Sequence, residues 1–241
     1  MRNKLALVKN VAALQLAYEA LSGRDAGIPG MALVYGYTGA GKTTAITWLV
    51  NRTRGIYVRA AATWTPSTML GRIMIELGAT PLSKSAAMVD YIVSALTETQ
   101  RPLFVDEADY LLGNIKMIET LRDIHDLSGV PVVLIGMEGI ERRLVHRPQL
   151  ARRISHWVEF LQSDLDDART LASTVCEVSL DEELLQRLHT ESAGSMGLMA
   201  VGLARIEAFA KANGWAVVTG EQWGDRKLHM GGAPKAKAGA R

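Results

Sequence analysis

The chain of 241 residues contains a single cysteine, Cys176, so an internal disulfide is excluded and the composition is typical of a reducing compartment. No apolar run approaches the roughly 20 residues that a membrane-spanning helix requires. Lys4, Lys9 and Glu19 interrupt the apolar pattern near the first residue, which argues against a signal peptide. We therefore expect a cytoplasmic protein without a membrane segment.

Acidic residues are missing from a long stretch, since none occurs between Asp25 and Glu76. The same stretch contains five basic residues, namely Lys42, Arg52, Arg54, Arg59 and Arg72. The overall net charge is only +2, so this one-sided distribution is more informative than the total. Arg52, Arg54 and Arg59, with Trp64 nearby, are candidate contacts to the phosphates of double-stranded DNA, without sequence readout. A solvated basic face is the alternative.

Apolar strands alternate with helical segments through the first two thirds of the chain. The strands are predicted at 31–35, 56–59, 102–105, 130–135 and 155–160. This alternation predicts an α/β fold with a five-stranded parallel sheet covered by helices. Beyond residue 160 only helices are predicted, at 164–177, 181–191 and 197–211, with Asp164 and Asp181 as N-terminal caps.

These elements predict four segments. They are an N-terminal helix and linker over residues 1–30, an α/β core over 31–162, a small helical lid over 163–222 and a basic, disordered tail over 223–241.

A glycine-rich loop follows the first predicted strand and runs Gly36-Tyr37-Thr38-Gly39-Ala40-Gly41-Lys42-Thr43. It matches the Walker A pattern in the required context of strand, loop and helix. Backbone N–H groups of such a loop, and the N-terminus of the helix after it, bind phosphates. Lys42 is expected to reach the β- and γ-phosphates, and the Thr43 hydroxyl to ligate Mg²⁺. The loop therefore predicts a nucleoside triphosphate site, with ATP and Mg²⁺ as ligands.

A second acidic motif supports hydrolysis. The apolar segment Leu103-Phe104-Val105 ends in Asp106 and Glu107, as a Walker B strand does. Asp106 is expected to hold the Mg²⁺ shell, and Glu107 to orient or deprotonate the attacking water. Residues 106–109 also spell the DEAD tetrapeptide of RNA helicases. We expect no helicase, because too little sequence follows for a second RecA-like domain and no Ser-Ala-Thr motif occurs downstream.

A basic segment, His146-Arg147-Pro148-Gln149-Leu150-Ala151-Arg152-Arg153-Ile154, lies between the fourth and fifth predicted strands. AAA+ ATPases carry their arginine finger at this place, and such a finger completes the active site of a neighbouring subunit. Arg152 and Arg153 are better candidates than Arg147, and the sequence does not separate the two.

Together these motifs resemble AAA+ ATPases that assist transposases, namely the B protein of Mu-like phages and TniB/TnsC-type proteins. The resemblance rests on the Walker A segment continued through Thr44 and Ala45, on residues 104–109, and on residues 148–154. It implies an AAA+ P-loop NTPase that forms a homo-oligomeric ring or filament on target double-stranded DNA and delivers that DNA to a transposase. A phage-encoded protein of this kind would work in the bacterial host cytoplasm.

Two positions depart from the AAA+ pattern. The lid segment Gly194-Ser195-Met196-Gly197 lacks the usual sensor arginine, and Arg205 lies two turns further on. The segment after the fourth strand reads Gly136-Met137 in place of a plain asparagine or threonine. A helicase loader or replication initiator is the alternative function that acts on DNA; an intact lid arginine and a helix-turn-helix would favour it, and the sequence shows neither clearly. A secretion or signalling ATPase that couples nucleotide state to a protein partner is a third.

Overall fold

The computed structural model describes residues 1–25 and 27–229. Its contacts divide the chain into two compact units, one of which is Asn10–Leu161. The other combines residues 1–9 with the described residues from Gln162 onward. Among the described residues, no helix is both long enough and apolar enough to cross a lipid bilayer.

The larger unit is built on one five-stranded sheet, with all strands parallel, in the order β2-β3-β4-β1-β5. The strands are β1 (Met31–Gly36), β2 (Ile56–Arg59), β3 (Leu103–Asp106), β4 (Val132–Ile135) and β5 (Ile154–Phe160). The side chains of β3 and β4 are buried along their whole length, which explains their unbroken apolar character. The predicted five-stranded parallel α/β fold is confirmed.

Helices cover this sheet and contribute most of the buried apolar side chains that pack against it. They are α1 (Lys9–Ser22), α2 (Lys42–Thr53), α3 (Pro66–Glu76), α4 (Ser85–Thr99), α5 (Ile115–Ser128), α6 (Ile140–Val145) and α7 (Pro148–Ala151), with a 3₁₀ helix at Ala108–Gly113. Local chemistry sets their ends. The Thr65 hydroxyl accepts a hydrogen bond from Thr68 N–H ahead of Pro66, and Gly129 ends α5 with a positive φ.

The smaller unit contains α8 (Leu165–Val175), α9 (Glu182–Ser192), α10 (Met196–Ala212) and α11 (Gly220–Trp223). Asp164 and Asp181 cap α8 and α9 as predicted, and Asp164 forms a reciprocal capping box with Asp167. The sequence analysis missed a two-residue parallel pair, β6 (Ser179–Leu180) with β7 (Val217–Val218).

The packed part of this unit extends past the predicted lid boundary at residue 222. The side chains of Trp223 and Leu228 are buried, and Trp223 makes an edge-to-face contact with Phe209. Residues 230–241 of the predicted basic tail lie outside the described residues.

Candidate nucleotide-binding site

The glycine loop leaves the carboxyl end of β1 and enters α2 at Lys42. Gly36, Gly39 and Gly41 adopt φ of 134°, 87° and 88°, a region that favours glycine. At Gly36 a side chain is also excluded by space, because a Cβ would lie 2.2 Å from the carbonyl oxygen of Phe160 on β5. The loop can therefore adopt this conformation only with glycine at Gly36.

Lys42 folds its side chain back over the loop. Its Nζ donates hydrogen bonds to the carbonyl oxygens of Gly36 at 2.6 Å and Tyr37 at 2.7 Å. Burial lowers the pKa of Lys42, and the nearby carboxylates of Asp106, Glu107 and Asp109 oppose that shift. A positive group is thus held at the mouth of the loop, within the field of three acidic side chains.

The first turn of α2 is open to an anion. Among the described residues, no side chain caps this helix, whose N-cap is Gly41, and the first turn contains no acidic residue. Thr43 and Thr44 are exposed at this end. Free N–H groups at a helix N-terminus attract negative charge, so this end suits the phosphates of a nucleotide.

The two acidic residues after β3 are held in different ways. Asp106 is buried, and its carboxylate accepts hydrogen bonds from Glu107 N–H at 2.8 Å and the Tyr57 hydroxyl at 2.7 Å. Glu107 has a φ of 54°, and its carboxylate is 3.0 Å from the Arg59 guanidinium. A left-handed backbone conformation is uncommon for residues other than glycine, and such residues are often found at functional sites.

Asp109 links this edge to the segment after β4. Its Oδ2 accepts a hydrogen bond from Met137 N–H at 2.8 Å, and its Oδ1 lies 3.8 Å from Arg143. The atypical Gly136-Met137 segment therefore contacts Asp109 through the backbone N–H of Met137. The sequence analysis assigned no role to Asp109 or Tyr57, because neither lies in a position that the Walker patterns define.

The two arginines proposed as fingers differ in their contacts. Arg153 forms a two-pronged ion pair with Asp126 on α5, with Nε–Oδ1 and Nη2–Oδ2 distances of 2.8 and 2.9 Å. This pair raises the pKa of Arg153 and lowers that of Asp126. Arg152 is exposed, and its side chain has no hydrogen bond or ion pair within the described part of the chain.

The four candidate DNA contacts lie in two groups at the two ends of β2. Arg52 and Arg54 lie at the end of α2, before β2 begins, and Arg52 lies over the Trp48 ring at 5.5 Å. Arg59 ends β2, where it pairs with Glu107, and Trp64 packs against the core beyond it. The four residues of β2, a length of roughly 13 Å, separate the two groups. The sequence analysis grouped them because they are close in the chain.

A glycine loop closed by a lysine, an acidic pair at the end of β3, and a parallel sheet in the order β2-β3-β4-β1-β5 define the AAA+ P-loop NTPase fold. Residues 27–144 match the family described as AAA domain. That segment runs from the turn before β1 through most of α6. No curated protein sequence matches the chain significantly.

Solved structures with this fold include three from archaea. The Aeropyrum pernix ORC2 protein, in ADPNP-ADP complexes, superposes with a TM-score of 0.69 and 18% identity over 92% of this chain and 68% of that one. Cdc6p from Pyrobaculum aerophilum superposes with a TM-score of 0.61 and 16% identity, over 87% of this chain and 63% of the Cdc6p chain. The Aeropyrum pernix ORC1 protein in complex with DNA superposes with a TM-score of 0.60 and 21% identity, over 92% of this chain and 64% of the ORC1 chain. The chain thus spans less than two thirds of the Cdc6p and ORC1 chains.

Proposed function

We propose that the protein is an AAA+ ATPase that binds and hydrolyses ATP with Mg²⁺ and acts on DNA as an initiator-type or loader-type oligomer. The observation that carries the proposal is the meeting of Lys42, the open N-terminus of α2 and the Asp106–Glu107 pair at one edge of the sheet. Triphosphate oxygens are stronger hydrogen-bond acceptors for an ammonium group than the two loop carbonyls that Lys42 now contacts.

The donors at this edge fit Mg²⁺ shared with phosphates. Among the described residues, no three His, Cys, Asp or Glu side chains gather into a metal-binding group. Mg²⁺ typically takes one or two protein ligands together with phosphate oxygens and water, and an exposed Thr43 hydroxyl with the Asp106 carboxylate suits that pattern. When bound, the ion neutralises charge on the β- and γ-phosphates.

Glu107 is the proposed acceptor of the proton from the attacking water. The Glu107 side chain is 24% exposed, so water reaches it. Arg59 donates a hydrogen bond to Oε1 of the Glu107 carboxylate, and so contacts the proposed base directly. Arg59 is therefore proposed to act at the nucleotide site and not on DNA.

Arg152 is the proposed finger, and it must act on a neighbouring subunit. The N–H of Met31, at the start of β1, bonds the carbonyl of Arg153, whereas the phosphate loop follows the far end of the same strand. The six residues of β1 span roughly 20 Å, so Arg152 cannot reach its own loop. An exposed arginine that has no partner among the described residues is available to a second copy of the chain, which supports a homo-oligomer.

The DNA-related part of the proposal rests on the comparisons. Three of the structures with this fold are of ORC and Cdc6 proteins, and one of these three is in complex with DNA. They favour the replication-initiator alternative over transposition. Arg52 and Arg54, with Arg101 donating from Nε to the Arg54 carbonyl at 2.6 Å, form a basic group available to DNA phosphates.

A transposase-accessory ATPase is the second candidate, supported by the resemblance of residues 148–154 to that family. The test is fluorescence anisotropy of labelled duplex DNA with ATP, a slowly hydrolysed analogue or ADP, followed by electron microscopy. An initiator or loader should form compact rings or short arcs, and a transposition protein should form continuous filaments and stimulate its transposase. Absence of nucleotide-dependent DNA binding at low salt would contradict both.

A further inference from the structure

A tyrosine outside the Walker motifs contacts the proposed metal carboxylate directly. Tyr57 lies on β2, and its hydroxyl donates a 2.7 Å hydrogen bond to Oδ2 of Asp106. β2 is the edge strand of the sheet and pairs only with β3 among the described strands. A side chain on β2 therefore donates a hydrogen bond to Asp106 on the neighbouring strand β3, 49 positions further along the chain.

The strand register explains how Tyr57 reaches this carboxylate. Tyr57 pairs with Phe104 and Arg59 with Asp106, so all four residues share one face of the sheet. From its register position Tyr57 lies diagonal to Asp106, a separation that a long aromatic side chain spans. Arg59, directly opposite Asp106, extends beyond it to Glu107. Two residues of β2 thus hold the two consecutive carboxylates.

The Asp106 carboxylate is fixed by neutral donors. Asp106 is only 7% exposed, its Oδ1 accepts a hydrogen bond from the Glu107 N–H, and its Oδ2 accepts one from the Tyr57 hydroxyl. Tyr57 is the only side chain among the described residues that donates to it.

We propose that Tyr57 is a positioning residue that orients the Asp106 carboxylate toward Mg²⁺ and its water shell. The inference rests on the proposed function of the site. Groups that hydrogen-bond to a metal-binding carboxylate fix its direction, and their loss weakens metal binding without removing a ligand. A purely structural tyrosine would affect stability alone.

The test compares nucleotide affinity with and without Mg²⁺. A fluorescent ATP analogue is titrated into wild type and Tyr57→Phe, first in EDTA and then in saturating Mg²⁺, and the Mg²⁺ midpoint is measured at fixed nucleotide. Tyr57→Phe should bind the analogue like wild type in EDTA, and its Mg²⁺ midpoint should rise about tenfold. In an Asp106→Asn background the same substitution should change nothing further, because its target is already altered.

Tyr18→Phe is the matched control. The Tyr18 ring stacks on the ring of Phe104, which lies on β3 like Asp106, with 6.2 Å between the ring centroids. The Tyr18 hydroxyl has no partner in the described part of the chain. This control should leave the Mg²⁺ midpoint unchanged. An unchanged midpoint in Tyr57→Phe, or an equal loss of affinity in EDTA and Mg²⁺, would overturn the inference alone. A wild type whose affinity gains nothing from Mg²⁺ would overturn the proposed function.

Discussion

The carboxyl edge of the sheet and the segment before β5 differ in whether their charged side chains have partners within the chain. At the carboxyl edge, Lys42, Asp106 and Glu107 all have partners within the chain. In the segment before β5, Arg152 has none among the described residues, although its neighbour Arg153 is paired with Asp126. The charges of the first region are thus paired within the chain, whereas the charge of Arg152 is not paired within the described residues.

This difference indicates a division of labour. Under the proposed function, the triphosphate binds at the carboxyl edge alone, and the arginine of a second copy is proposed to accelerate hydrolysis. The two regions lie at opposite ends of β1, so the same strand that positions the loop keeps Arg152 away from it. Substitutions in the two regions should therefore separate binding from turnover.

The largest effect is expected for Lys42→Ala, which removes the ammonium group of the binding region. Nucleotide binding, measured with a fluorescent analogue, should fall below detection because the charge that faces the phosphates is lost. Lys116→Ala, at an exposed lysine on α5, is the control and should bind normally. Wild-type affinity in Lys42→Ala would remove the loop from the site.

Arg152→Ala should leave nucleotide affinity unchanged and lower the ATPase rate by about 10³-fold, because the finger acts on the transition state. Arg142→Ala, at an arginine whose side chain is 84% exposed, is the matched control and should turn over normally. Equal rates for Arg152→Ala and wild type would show that the exposed arginine is not the finger.

Glu107→Gln should bind ATP with wild-type affinity and hydrolyse it at least about 10²-fold more slowly, because an amide cannot accept the proton of water. Single-turnover hydrolysis is the measurement. Bound ATP should persist and hold the protein in its assembled state on DNA. Normal turnover would transfer the role of the base to another residue.

The smallest effect is expected for Arg153→Ala, which breaks a partly exposed ion pair. Stability should fall by at most about 1 kcal/mol after allowance for solvent screening, a shift of about 2–4 °C in Tm. Because Arg153 lowers the pKa of Asp126, this stabilisation is present above the ordinary aspartate pKa and is lost as pH falls through the lowered value. A Tm difference that grows on acidification would contradict the pair.

The candidate nucleotide site can be proposed from the sequence where its residues are adjacent in the chain. The three glycines, Lys42 and the strand-end acids belong to contiguous patterns, because the loop and the strand end impose their chemistry on adjacent residues. The alternation of apolar strands and helices predicted the fold, because strands of a parallel sheet are buried on both faces and are therefore apolar throughout.

The remaining contacts depend on register between distant segments. Tyr57 looks like an ordinary strand residue until β2 is placed beside β3, and the partner of Arg153 lies 27 positions away on α5. The same cause explains why the sequence analysis grouped Arg54 with Arg59, since the two are close in the chain yet lie at opposite ends of β2. Pairing across the sheet is not a local property.

The central claim is that one subunit's nucleotide site is completed by Arg152 of another, and mixing two inactive variants tests it most directly. Lys42→Ala retains Arg152 but cannot bind ATP, and Arg152→Ala retains the site but lacks the finger. Their equimolar mixture should recover measurable ATPase activity, because a Lys42→Ala subunit supplies its arginine to an Arg152→Ala neighbour. A mixture that stays inactive at concentrations where wild type turns over would contradict the account.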